Sequence, residues 1–158
     1  MVLIKNILLW ASKNDWTSQK LPKYRFIQKS LSRFMPGESL LEALDACNNL
    51  ENINYGTIIT YLGENVTSEN QSNGVTNHYL NALSEIKNKS LGTLISVKLT
   101  QLGLDFSKTT CIINMKKILD KANELNTIVW IDMEEYKYID KTLDIYKYLS
   151  NYYSNIGI

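Results

Sequence analysis

Apolar residues in this chain change their rhythm at Gly56. Before it the spacing is helical. Residues 1–11 form an apolar stretch broken by Lys5 and Asn6, residues 24–35 mix apolar and basic side chains at helical intervals, and Pro36-Gly37 stops that pattern. Ser39 followed by Glu42 is a capping box opening a helix over 40–50, with Leu40, Leu41, Leu44 and Cys47 on one face. Beyond Gly56, short β-prone runs alternate with longer helical ones. Three runs align on one another: 57–65 (TIITYLGEN), 93–101 (TLISVKLTQ) and 127–135 (TIVWIDMEE). Between them lie helical stretches. Ser68 with Gln71 is a second capping box, leading to Tyr79, Leu80, Leu83 and Ile86. Ile112, Ile113, Met115, Ile118, Leu119 and Ala122 mark the next helix, and Leu143, Ile145, Tyr146 and Leu149 the last. Ile156-Gly157-Ile158 reads as the opening of a fourth strand.

Alternating strand and helix predicts βα units on a parallel sheet. Two architectures use that unit, the open doubly wound sheet and the closed eight-stranded barrel. A barrel needs about 250 residues, so three strands and a stub predict either a small open sheet or the front half of a barrel. With no helix after the fourth strand, the second is favoured. The expected organisation is an N-terminal helical region over 1–54 followed by three βα units and the start of a fourth strand over 55–158.

Composition narrows the function classes. The 158 residues carry 17 Lys and Arg against 16 Asp and Glu, so a net charge of +1 gives no electrostatic reason to expect nucleic acid. Cys47 and Cys111 have neither metal-ligand spacing nor a disulfide framework, and read as reduced residues of a cytoplasmic protein. No run reaches the roughly 20 apolar residues that span a bilayer. The N-terminus lacks a basic n-region and a small-residue cleavage site, so no signal peptide is read. An amphipathic helix over 1–11 is expected instead, with core or partner contact favoured over contact with the inner face of a membrane.

Ligands of parallel α/β folds gather at the carboxyl ends of the strands. Side chains alternate along a strand, so the fourth, sixth and eighth positions of the aligned runs share a face. That face carries Thr60, Leu62 and Glu64, then Ser96, Lys98 and Thr100, then Trp130, Asp132 and Glu134. The alternate positions Ile59 and Tyr61, Ile95, Val97 and Leu99, and Val129, Ile131 and Met133 suit a helix-covered face. Lys98 and Asp132 are flanked by apolar residues, so each charge needs a partner. An ion pair between the two, across strands about 4.8 Å apart, weighs about equally with a site role. In that role Lys98 is a fixed cation for a carboxylate or phosphate, and Asp132 orients it or hydrogen-bonds a cofactor. His78 is expected to serve surface or helix packing rather than acid–base work. The tyrosines of the last helix, Tyr146, Tyr148, Tyr152 and Tyr153, are expected in core or interface. The sequence has no Gly-rich phosphate loop, zinc pattern or nucleophile elbow.

Several segments carry more than a pattern. Arg33-Phe-Met-Pro-Gly-Glu38, Leu62-Gly-Glu-Asn-Val-Thr67, Ser96-Val-Lys-Leu-Thr-Gln-Leu-Gly-Leu104 and Ile131-Asp-Met-Glu134 resemble the bacterial proline dehydrogenase family, in that family's order and spacing. The resemblance covers nearly the whole chain. It implies a (β/α)8 barrel that binds FAD, oxidises L-proline to Δ1-pyrroline-5-carboxylate and passes electrons to a quinone or other acceptor. It also implies that Lys98 faces the proline carboxylate as a catalytic and substrate-binding residue. Asp132, as a catalytic and cofactor-binding residue, would lie beside the flavin. Further residues of the family's site come from later strands and the last helix, which this chain stops short of. The expectation is an N-terminal portion inactive without its C-terminal half. The alternative is a non-catalytic half-barrel module that self-associates as a homo-oligomer or binds a partner.

Overall fold

The computed structural model describes residues 39–63 and 66–158. The helices read over 1–11 and 24–35, the segment 33–38 and the pair Glu64-Asn65 lie outside the described residues. The chain divides into two compact units, 1–46 and 47–158, and the second carries the sheet.

Helix α1 (Leu40–Glu51) begins at the capping box read from the sequence. The Ser39 hydroxyl accepts the Glu42 N–H at 3.3 Å, and the Glu42 carboxylate accepts the Ser39 N–H at 3.1 Å. Its apolar stripe is narrower than the spacing suggests, because Leu44 and Cys47 are buried while Leu41 is exposed. The order then runs β1 (Ile58–Thr60), α2 (Glu69–Asn88), β2 (Leu94–Val97), α3 (Lys108–Glu124), β3 (Val129–Ile131), a 3-10 turn (Tyr136–Tyr138), α4 (Ile139–Ser150) and β4 (Ile156–Gly157). Ser68 caps α2 and Ser107 caps α3, each hydroxyl accepting the N–H three residues on. All three strand pairings are parallel, and the spatial order β1-β2-β3-β4 is the chain order.

The register aligns two rows across the sheet. Ile59, Ile95, Val129 and Ile156 form one, and Thr60, Ser96, Trp130 and Gly157 the other. Successive side chains point to opposite faces, so the first row points to the helix-covered side and the second to the open side. Ile95, Val97, Val129 and Ile131 are buried, as are Tyr79, Leu83 and Ile86 of α2 and Met115, Ile118 and Leu119 of α3. Fully burying one such aliphatic side chain contributes about 1.5–3 kcal/mol. On the open side Ile58, Leu62 and Trp130 stay exposed. The Trp130 ring lies against Gly157, where an added Cβ would come within 2.6 Å of the indole.

The strands are shorter than the aligned runs. After Val97 the chain enters successive turns, with Gln101 N–H donating to the Lys98 carbonyl and Leu102 N–H to Leu99, both at 3.1 Å. Leu99 and Leu102 anchor those turns in the core. Strict alternation therefore stops early, and Tyr61 and Met133, expected under the helices, are exposed. Tyr148 and Tyr152 lie outside the core as well. Their rings sit 5.4 Å apart at the surface, with the Lys116 ammonium 5.3 Å and 5.5 Å from the two ring centres.

Glu51, the last residue of α1, staples the amino ends of two strands. Its carboxylate accepts from Gly92 N–H at 3.0 Å, Thr93 Oγ1 at 2.8 Å and Thr57 Oγ1 at 3.2 Å. The Gly92 N–H first, with the two hydroxyls adding to it, holds the carboxyl below its ordinary value against a smaller opposing push from burial. A carboxyl whose pKa is lower folded than unfolded adds stability above the unfolded value, about 4.3, and that stability is lost as pH falls through the folded value. Glu51→Gln should lower the thermal midpoint at pH 7. It should also flatten the dependence of the midpoint on pH below about 5, checked by thermal melts of both proteins across that range.

Candidate functional site

Lys98 and Asp132 each sit one residue past the end of a strand, at the carboxyl edge of the sheet. There the loops enclose a hollow of about 440 Å³ lined by Gly63, Val66, Lys98, Thr100, Gln101, Asp105, Met133, Glu134, Glu135, Lys137 and Tyr138. A smaller, more apolar hollow of about 300 Å³ lies at the opposite strand ends, between Leu83, Leu94 and Ile128. Lys98 opens into the polar hollow. The ion pair weighed from the alternation is not formed: Asp132 accepts a short hydrogen bond from the Ser96 hydroxyl. Glu134 is held twice by Thr100, from the backbone N–H at 3.2 Å and the hydroxyl at 2.6 Å. At the rim Tyr138 donates to Asp105 at 2.7 Å, and Lys137 pairs with Glu135 at 3.3 Å. Among the described residues Lys98 has no ion pair and no hydrogen bond.

Two residues that build this edge escaped the sequence reading as site residues. Tyr79 of α2 is buried, yet its hydroxyl reaches the polar end of the sheet. It donates to the Ser96 carbonyl at 3.0 Å and accepts from Tyr61 N–H at 3.1 Å, tying the exits of β1 and β2 together. Burial pushes this phenol's pKa up, so it stays a neutral donor. Gln101 is also buried and donates its amide to the carbonyls of Tyr61, at 3.0 Å, and Gly63. A Tyr on the apolar stripe of a helix was the available signal, since a buried phenol needs a hydrogen-bond partner.

The remaining candidates fall outside the chemistry. His78 packs its ring 4.2 Å from that of Tyr61, and burial lowers its pKa, which suits helix packing. Cys111 donates its thiol to the Leu99 carbonyl at 3.5 Å, and burial, helped by the Glu134 charge, pushes its pKa up to about 12. Such a thiol is a poor nucleophile. Cys47 and Cys111 are both free and buried. No cluster of His, Cys, Asp and Glu suited to a metal ion occurs among the described residues. Within them, no helix is long and apolar enough to cross a membrane.

The described residues form a parallel α/β sheet whose carboxyl edge opens on a polar hollow lined in part by Lys98. The chain's sequence assigns the family. The family described as proline dehydrogenase matches residues 43–157, and the chain belongs to it. The chain is 29% identical over 155 residues to proline dehydrogenase 1 of Bacillus subtilis (strain 168), covering 98% of this chain and 51% of that protein. It is 26% identical over 157 residues to proline dehydrogenase 2 of Bacillus subtilis subsp. natto, covering 99% and 51%. Over 120 residues it is 24% identical to a proline dehydrogenase of Deinococcus radiodurans, covering 74% and 39%. The chain thus spans about half the length of the curated relatives it matches.

The hydroxyl of Tyr79 is the test of how this edge is held. Tyr79→Phe keeps the ring but leaves the Tyr61 N–H and Ser96 carbonyl without that partner. It should cost about 1–3 kcal/mol in denaturant unfolding. It should also speed exchange of the Tyr61 amide hydrogen more than that of the amides within α3.

Proposed function

We propose that residues 1–158 form the first half of an FAD-dependent proline dehydrogenase barrel. In this reading Lys98 binds the carboxylate of L-proline and Asp132 lies on the cofactor side of the same site. The observation that carries the reading is the Lys98 ammonium, which has no ion pair or hydrogen bond among the described residues, at the carboxyl edge of a sheet whose sequence belongs to this family. A hydroxyl-held carboxylate at Asp132 and a half-exposed indole at Trp130 suit the polar ring system of a flavin on the open face. Among the described residues no glycine-rich loop leads into a helix, the usual holder of a pyrophosphate.

FAD, when bound, would supply the hydride acceptor for the ring carbon beside the proline nitrogen, with the nitrogen's proton released to solvent. The chain's own residues supply placement. The Lys98 ammonium fixes one end of the substrate through its carboxylate, which orients the ring carbon, and such positioning is worth several kcal/mol. Ser96 fixes the Asp132 carboxylate. Electrons then pass to a quinone or other acceptor. The open face, with Ile58, Leu62 and Trp130 exposed, is the barrel interior in this reading. Residues 1–158 alone are therefore expected to retain little flavin and to turn over no proline. The same exposed face supports the alternative, a non-catalytic half-barrel that self-associates or binds a partner. Stable, flavin-free homo-oligomers would favour it.

The decisive experiment incubates the chain with FAD, with and without the second half of a Bacillus subtilis relative added as a separate polypeptide. Proline-dependent reduction of a dye acceptor should appear only in the mixture. Lys98→Met in that mixture should raise KM for L-proline about 10-fold or more, the loss of one charge-assisted contact. A mixture that neither retains flavin nor oxidises proline would contradict the proposal. Turnover by residues 1–158 alone would contradict the half-site part of it.

A further inference from the structure

We infer that Ser96 and Thr100 are positioning residues that keep Lys98 unpaired, by occupying the two carboxylates that would otherwise neutralise it. The inference rests on the reading of Lys98 as an anion-binding cation. The pattern is a short alternation in the chain. Ser96, Lys98 and Thr100 occur at every second position as β2 gives way to turns, and Asp132 and Glu134 occur at every second position after β3. Parallel register brings Ser96 opposite Trp130 and Val97 opposite Ile131, so the two carboxylates leave β3 beside the segment that carries the lysine. A cation with two acidic neighbours on the adjacent strand should pair with one of them. Neither pair forms. The Ser96 hydroxyl donates to Asp132, and Thr100 donates both its N–H and its hydroxyl to Glu134.

The other acidic groups of the hollow are occupied as well, Asp105 by the Tyr138 hydroxyl and Glu135 by the Lys137 ammonium. Those two contacts are exposed, the first joining the segments that follow β2 and β3 and the second lying within one of them. The Ser96 and Thr100 contacts are partly buried and bridge strands, which makes them the harder to rearrange. A hydroxyl suits the task because it donates to a carboxylate and holds it in place without bringing in a second charge. The Ser96 carbonyl accepts from Tyr79, which steadies the backbone that carries the hydroxyl. A ligand carboxylate then meets a lysine that need not first give up an internal partner, and binding is not reduced by that competition.

The test reads Lys98 directly, through the side-chain NMR signals of its ammonium-bearing carbon in the 158-residue chain, titrated with pH. Ser96→Ala and Thr100→Val should each free a carboxylate to approach Lys98 and move the midpoint of those signals to higher pH than in the wild type. Adding Asp132→Asn to the first variant and Glu134→Gln to the second should reverse the rise. Reversal by the matching amide separates competition for the lysine from general loosening of the fold. In the barrel completed by the relative's second half, each single variant should weaken L-proline binding roughly 3- to 10-fold, with the proline amide affected less. An unchanged Lys98 midpoint in both single variants overturns the inference. So does a rise that the matching amide fails to reverse. If the midpoint responds as expected but wild-type protein binds L-proline no better than its amide, the inference stands as a statement about Lys98, and the proposed substrate is wrong.

Discussion

Everything at the polar edge depends on the parallel register of β1, β2 and β3. Pairing Ile59 with Ile95 and Val129 sets an apolar row on the helix side, and it obliges Thr60, Ser96 and Trp130 to share the other. A slip of one residue would turn the apolar row out and the polar row into the core. The helix side enforces the choice, because Ile95, Val97 and Val129 are fully buried there. The two ends of the sheet then divide their tasks. At the amino ends Glu51 gathers Thr57, Gly92 and Thr93 into a structural staple. At the carboxyl ends the hydrogen bonds hold charged groups in place and, among the described residues, leave Lys98 without a partner.

That division explains why the carboxyl edge can be both stable and reactive. Tyr79 and Gln101 are buried polar side chains whose donors are all used on the backbone of the β1 and β2 exits. Buried groups so satisfied stiffen a site without adding charge to it. The charged groups sit one layer further out, where a hydroxyl or phenol satisfies Asp132, Glu134 and Asp105, and the Lys137 ammonium satisfies Glu135.

Much of this was legible in the chain itself. The alternation of β-prone and helical runs identified all four strands, and the Ser39 and Ser68 capping signals located two helix starts. Lys98 and Asp132 stood out as charges in apolar settings, and the structure brings them to one edge. Their mutual pairing, weighed equally with a site role, did not form, because periodicity says which residues are near each other and not which hydrogen bond wins. Ser96 and Thr100 were placed on the right face with no role. The strands were read too long, since turn formation after Val97 depends on Leu99 and Leu102 reaching the core, a tertiary effect. Tyr148 and Tyr152 lie outside the core expected for them, tilted against each other at the surface beneath the Lys116 ammonium.

The central claim is that the carboxyl edge, through Lys98, receives a small carboxylate ligand. Backbone amide shifts of the 158-residue chain, followed while L-proline is added, test it most directly. The account predicts movement concentrated at residues 98–101 and 132–135, with much weaker movement when the proline amide replaces the acid. Shifts confined to the amino ends of the strands, around Thr57, Thr93 and Thr127, or equal responses to acid and amide, would contradict it.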